Sequence, residues 1–234
     1  MIRVGKPIIL ILLLLLIVGC AQLPEYARPH VREIDNRHES LEHGFTYRPL
    51  TVDDFRALSL PGKYKLHTKN INAHSCIQIR PTQDSKFIIT WNYFDKQIYY
   101  FGTIEHVVFE AVMIPSCSWW NPHVPKEKFA YVLQHEQIHF ALMELAARKL
   151  THEAREVTKK FVAIQTTHKD AQREILATIE DMVRSASEDS LKEHTAFDQD
   201  TSLHFDPEKQ RRWLDSVEEQ LLKTASKKRK TSAH

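Results

Sequence analysis

The sequence lacks a strong charge of either sign. Its 32 Lys and Arg are set against 30 Asp and Glu, a formal net charge of +2 at pH 7. No basic stripe with interleaved aromatics occurs. A nucleic-acid partner needs such an electrostatic footprint, so the balance argues against one. No internal repeat occurs either. Long apolar runs are also missing: the longest, Ile8 to Val18, has eleven residues, and a bilayer-spanning helix needs about 20. Cysteine is scarce, with three residues at Cys20, Cys76 and Cys117. Tyrosine is absent after Tyr131.

The short apolar run follows Arg3 and Lys6 and ends at Gly19-Cys20. A basic start and an apolar core of this length fit a signal peptide over 1–19. The ending Ile17-Val18-Gly19-Cys20 resembles the bacterial lipoprotein processing site. The resemblance implies cleavage before Cys20 and lipidation (palmitate among the acyl chains) on that cysteine. An ordinary signal peptide or a short anchor is the alternative. Ala21 and Gln22 follow. An aspartate there would hint at retention in the inner membrane, so its absence leans towards the outer membrane, facing the periplasm. With Cys20 lipidated, Cys76 and Cys117 remain as an even pair, and an oxidising envelope would let them bridge. Closing that loop would stabilise by ~4 kcal/mol on the chain-entropy model. Two unpaired buried thiols are the alternative.

What the chain does have is one dominant stretch, Tyr131-Val-Leu-Gln-His135-Glu136-Gln-Ile-His139-Phe140. It reads H-E-x-x-H. On a helix, residues i and i+4 share a face, so His135 and His139 can grip one metal ion. Glu136 lies about 60° round the helix from His139. Two imidazoles suit Zn²⁺, and a neighbouring carboxylate suits a general base. With 14 His in 234 residues, the bare pattern is expected by chance roughly 0.06 times, so context must carry the rest. Pro125 and Glu127 mark a helix start. Phe129, Val132, Met143, Ala146 and Leu150 then recur at helical spacing around the two histidines. Imidazoles on an apolar stripe are costly unless something pairs with them, and a metal would be that partner. Two core histidines satisfied by hydrogen bonds are the plainer alternative.

Around this helix the chain divides as follows. Residues 20–48 are polar, hold Pro24 and Pro29, and read as a lipidated tether. One domain with a single core fits 49–226, followed by a basic tail, 227–234, with Lys227-Lys-Arg-Lys230. Leu50–Phe55 reads as a short helical turn capped by Thr51. Strands are predicted at Ile77–Ile79, Phe87–Tyr93 and Ile98–Phe101, and Val107–Met113 reads as a strand with a helix as the alternative. Val157, Phe161, Ile164, His168, Ile175, Ile179 and Met182 keep a helical spacing, which predicts one long helix or two over 153–186, with His168 on its apolar seam. Residues 188–206 lose the pattern and read as an irregular loop. A last amphipathic helix starts at Pro207, with Trp213, Val217 and Leu221 inward.

A catalytic zinc usually takes three protein ligands. Glu144 lies about 140° round the helix from His139, which points to a supporting or solvent-facing position. The third ligand is expected from Glu193–His204, which holds His194, Asp198 and His204.

These residues resemble a bacterial family of predicted secreted zinc-dependent proteases. Its core is like H-E-Q-G-H-F, here His135-Glu-Gln-Ile-His139-Phe140, then Glu144-Leu-Ala-Ala-Arg148. Leu50-Thr51-Val-Asp-Asp54-Phe55, Ser118-Trp119, and the closing Asp198, Thr201, Gln210 and Trp213 also look like it. The chain departs from the pattern at Ile138, usually Gly, and Ala141, usually Asp. Phe197-Asp198 replaces the usual Tyr-Asp, and Leu203 with His204 stands where the family's His falls two after the Thr.

The resemblance implies an α+β, zincin-like fold: a small, mainly antiparallel sheet packed on the H-E-x-x-H helix, then a helical C-terminal half. It implies His135, His139 and His204 as metal ligands and Glu136 as the catalytic base. With no later tyrosine, His194 or His204 would assist the oxyanion. The expected activity is that of a zinc metallopeptidase acting on a peptide or protein in the bacterial envelope, held to the membrane by its lipid. Two alternatives stay open: a non-catalytic envelope lipoprotein that binds a partner or the wall, and a zinc amidase on peptidoglycan peptides.

Overall fold

The computed structural model describes residues 44–62, 71–202 and 205–231. The signal segment, Cys20, most of the tether and His204 lie outside the described residues.

Among the described residues the fold is α+β, with small antiparallel sheets and three long helices. Strands β1 (Phe45–Thr46), β3 (Ile77–Pro81) and β6 (Phe109–Met113) form one sheet in the order β1-β6-β3. Strands β2 (Ala73–His74) and β7 (Trp119–Trp120) pair separately. A third sheet has the order β4-β5-β8, from Lys86–Phe94, Gln97–His106 and Ala163–Gln165. Where a single small sheet is expected from the sequence, the described residues form three. β1 also falls inside the stretch read as tether, pairing Phe45 with Met113.

Helix α1 (Phe129–Thr158) is the centre of the molecule. It packs on β3 and β6 on one side and on α2 (His168–Thr201) and α3 (Pro207–Thr231) on the other. Its buried residues include Val132, Ile138, Phe140, Ala141, Leu142, Ala147 and Leu150. A helix covered on most sides buries more than one stripe. That is why Ile138 and Ala141 are apolar and inaccessible here. Of the predicted stripe, Val132 and Leu150 are buried, whereas Phe129, Met143 and Ala146 are only partly so. Phe140 meets the rings of Tyr47 and Phe45 edge-on at 5.1 and 6.0 Å, contacts worth ~0.5–1.5 kcal/mol each beyond their buried area.

The segment before β2 is tied to α1 by polar contacts. The Gln137 side chain accepts from Leu50 N at 2.6 Å and donates to Arg48 O at 3.2 Å. The turn Val52–Asp54 follows Thr51, whose backbone N donates to Asp54 Oδ2 at 2.8 Å. Cys76, just before β3, is joined to Cys117 by a disulfide with Cα atoms 5.6 Å apart.

Two expectations about the helical half are corrected. Phe161 and Ile164 do not continue a helix. α1 ends at Thr158 and β8 intervenes, with Ile164 56% exposed. Thr167 then caps α2, its hydroxyl accepting from Asp170 N at 3.1 Å. His168 is therefore not on a core seam; it is exposed at the first turn of α2, edge-on to Tyr100. The predicted loop over 188–206 is instead helical as far as Thr201. α3 begins at Pro207 with Val217 and Leu221 buried and Trp213 partly so, and its backbone stays helical through Thr231, into the stretch read as a tail.

Candidate metal centre

Because α2 stays helical to Thr201, it lays His194, Phe197, Asp198 and Thr201 along the histidine face of α1. Residues four apart on a helix share a side, which aims His194 and Asp198 the same way. Asp198 Oδ1 lies 3.2 Å from His135 Nε2 and 3.1 Å from His139 Nε2, and the two ring nitrogens are 3.1 Å apart. Three ligand atoms thus form a nearly equilateral triangle. A tetrahedral ion ~2.0–2.1 Å from each atom would place them about 3.3 Å apart. His135, His139 and Asp198 could together hold a metal ion. The imidazoles are largely covered, with 14% of each side chain exposed, while Asp198 is half open at 49%. The triangle is most open on the aspartate side.

The outer contacts set the tautomers that metal binding needs. His135 Nδ1 is 3.4 Å from Thr201 Oγ1, which itself donates to Phe197 O at 2.7 Å. With its hydrogen committed to Phe197 O, the Thr201 hydroxyl accepts from His135 Nδ1, leaving Nε2 as an acceptor. His139 Nδ1 meets His194 Nδ1 at 2.8 Å, the two rings parallel. Phe197 stacks on His135 at 4.4 Å and fixes its plane. Burial pushes the His194 pKa down to about 4, with the neighbouring His139 adding to the effect. A neutral His194 can accept from His139 Nδ1. Partial burial pushes the Asp198 carboxyl up, but its contacts with His135 and His139 outweigh that and hold it well below the usual range. It is an anion at neutral pH, as a ligand must be.

Glu136 is buried, at 4% exposure. Its Oε2 accepts from Ser75 N at 3.1 Å and from the Ser75 hydroxyl. Ser75 sits between β2 and the disulfide-bonded Cys76, whose N donates to Ser118 Oγ at 2.9 Å. Glu136 is therefore held in one position by the sheet side, whereas both histidines face α2.

The structure thus brings His135, His139, His194 and Asp198 together. His194 touches His139 on the Nδ1 side, not on the Nε2 side where the triangle forms. Glu144 accepts from Arg148 Nε at 2.7 Å and from Ala111 N at 3.4 Å, so it braces α1 against β6. Two further supports lie outside the H-E-x-x-H motif. Ser75 carries no motif that would flag it, whereas Gln210, at 0% exposure, donates from Nε2 to Tyr131 O and Gln134 Oε1 and pins α3 to the motif helix. Trp213 Nε1 donates to Asp200 Oδ2, and its ring meets Phe197.

No family model matches the chain, and no curated protein and no solved structure does so.

Proposed function

We propose that the chain is a zinc-dependent metallohydrolase of zincin-like fold, a peptidase acting on peptide bonds in the bacterial envelope. The carrying observation is the His135, His139, Asp198 triangle with a buried glutamate next to His135 in the same helix. Two imidazoles and one carboxylate are the donor set of a catalytic zinc, with a fourth position left for water or substrate. Zinc held there would lower the pKa of a water to ~7 and polarise a carbonyl. The chain's own work is positional. Thr201 and His194 orient the two imidazoles, and Asp198 brings the third donor. Glu136 takes a proton from the attacking water and returns it to the leaving amine, held ready by Ser75.

In the full-length chain, Glu136→Gln should keep the fold and the zinc but lower hydrolysis of a broad peptide library by ~10²–10⁴. Zinc content is measured alongside. Wall-derived peptides in the same library separate a peptidoglycan amidase from a protease. If wild type cuts no peptide of either kind, the hydrolase reading is wrong. A second reading then stands, a metal-holding envelope protein that binds a partner or the wall. Its supporting observation is that Ser75 already occupies one oxygen of Glu136.

We place the protein in the envelope, anchored through lipid on Cys20, on the strength of the Ile17–Cys20 pattern. Among the described residues no helix is long and apolar enough to cross a membrane. If the lipid is the anchor, the Cys20→Ser chain should move from the membrane pellet to the soluble fraction. Full retention in the pellet would rule out the lipid as the anchor.

A further inference from the structure

The β4–β5 hairpin ends in a two-residue turn, Asp95-Lys96, both at positive φ (45° and 62°). Towards this turn the strands expose Trp91 (67%), Tyr93 (61%), Phe94 (73%) and Ile98 (42%). Cross-strand pairs put Trp91 opposite Tyr100 and Tyr93 opposite Ile98, so one face of the arm is almost wholly apolar. Nearer the body the same face closes over α2, where Gly102 admits Ile175: a Cβ on Gly102 would lie 2.9 Å from Ile175 Cδ1. A cavity of about 290 Å³ opens there between Phe87, Ile89 and His168.

β4 is also an edge. In the order β4-β5-β8, nothing among the described residues pairs with its outer side. Proteins blunt such edges with proline, internal charge or bulges. The nine residues of β4, KFIITWNYF, hold no proline and one charge, at the first position; the register with β5 shifts once, between Lys86 and Phe87, and Asn92 Oδ1 accepts from Tyr93 N at 2.8 Å. Between Phe87 and Asn92 the edge carries none of these guards, and a strand can pair there.

We propose that this edge pairs with β4 of a second copy of the chain, antiparallel about a two-fold axis through Thr90. The strand is self-complementary in that register. Phe87 would face the partner's Tyr93 and Ile89 the partner's Trp91. Ile88 would face the partner's Asn92, and Thr90 the partner's Thr90. Aromatic with β-branched, and Thr with Thr, are favourable antiparallel pairs. Lys86 would lie against the partner's Phe94, a cation–π geometry, and no like charges meet. The pairing joins two three-stranded sheets into one of six. Edge pairing would set Phe87, Ile89, Trp91 and Tyr93 beside the partner's residues on one face of the joined sheet. A lipid surface would accept the aromatic rings but not the unpaired N–H and C=O groups of the edge, which are costly in hydrocarbon.

The test uses the full-length chain carrying Cys20→Ser, which leaves the Cys76–Cys117 bridge and no other thiol. Sedimentation should show a dimer at roughly 10 μM. Thr90→Lys would set two lysines against each other across the axis and should weaken the dimer by about tenfold or more, with an unchanged circular dichroism spectrum. Thr90→Cys should cross-link two chains under mild oxidation, because residue 90 opposes itself within disulfide reach. Asn92→Cys, opposed by the partner's Ile88, should not. If Thr90→Lys disturbs the fold, the two cysteine variants still decide. A monomer at that concentration would overturn the proposal, as would a dimer indifferent to Thr90→Lys or equal cross-linking at both positions. So would a monomer that floats with phosphatidylethanolamine–phosphatidylglycerol vesicles in a Trp91-dependent way, which would make the arm a membrane contact.

Discussion

Asp198→Ala in the full-length chain should lower zinc affinity by more than the roughly 10–100-fold that loss of an outer contact costs. His194→Ala should fall within that 10–100-fold range, and His204→Ala, at a position outside the described residues, tests whether that histidine also reaches the ion. The order follows from geometry. Asp198 Oδ1 is 3.1–3.2 Å from both ring nitrogens of the motif and completes the triangle. His194 meets His139 through Nδ1 and acts on the metal only through that ring. Competition with a chromophoric chelator at pH 7 gives all three values. Asp198→Asn refines the result: it keeps a ligating oxygen but removes the charge, so its loss should lie between wild type and alanine. If His204→Ala abolishes binding while Asp198→Ala is tolerated, the third ligand is His204 and Asp198 only orients the histidines. If neither matters, His135 and His139 bind without a protein third ligand, which would weaken the hydrolase reading.

The motif helix, the main strand runs and the start of the last helix were legible because each carries its own local signal. His135, Glu136 and His139 are a fixed spacing, β4 and β5 are rich in aromatic and β-branched residues, and Pro207 opens α3. The third corner of the site was not, and the reason is physical. The second half of α2 buries Ser190, Phe197 and Thr201 and turns His194 and Asp198 to α1. Those positions, 190, 194, 197, 198 and 201, do follow the helical repeat, but most are polar. A hydrophobic period cannot see a helix whose inner face is built for ligands. The break at 159–167 misled in the opposite way. Phe161 and Ile164 fall at helical spacing although the chain there turns and forms β8, and no Gly or Pro marks the stop. The signal that was present is Thr167 followed by Asp170, a helix-start pair.

Removing the disulfide with Cys76→Ala and Cys117→Ala together should cost about 4 kcal/mol of stability by the chain-entropy model. The bridge spans a sequence separation of 41. For a chain of this size that lowers Tm by roughly 8–16 °C. The bond ties the start of β3 to the turn Pro115–Cys117, and Ile114 N already donates to Cys76 O at 2.8 Å, so the native arrangement has contacts that can outlast the bond. Zinc affinity should be unchanged in the double variant, since all three candidate ligands come from α1 and α2. Peptide hydrolysis, if wild type shows it, should fall, because Ser75 is bonded to Cys76 in the chain and holds Glu136 through both its N–H and its hydroxyl. The two readouts therefore separate. Loss of activity with zinc retained would place the β2–β3 junction in the service of Glu136. A Tm within about 2 °C of wild type would mean that the loop closes without the bond. Loss of zinc would mean that the packing of α2 on α1 depends on this sheet after all, and that the triangle is not set by the two helices alone.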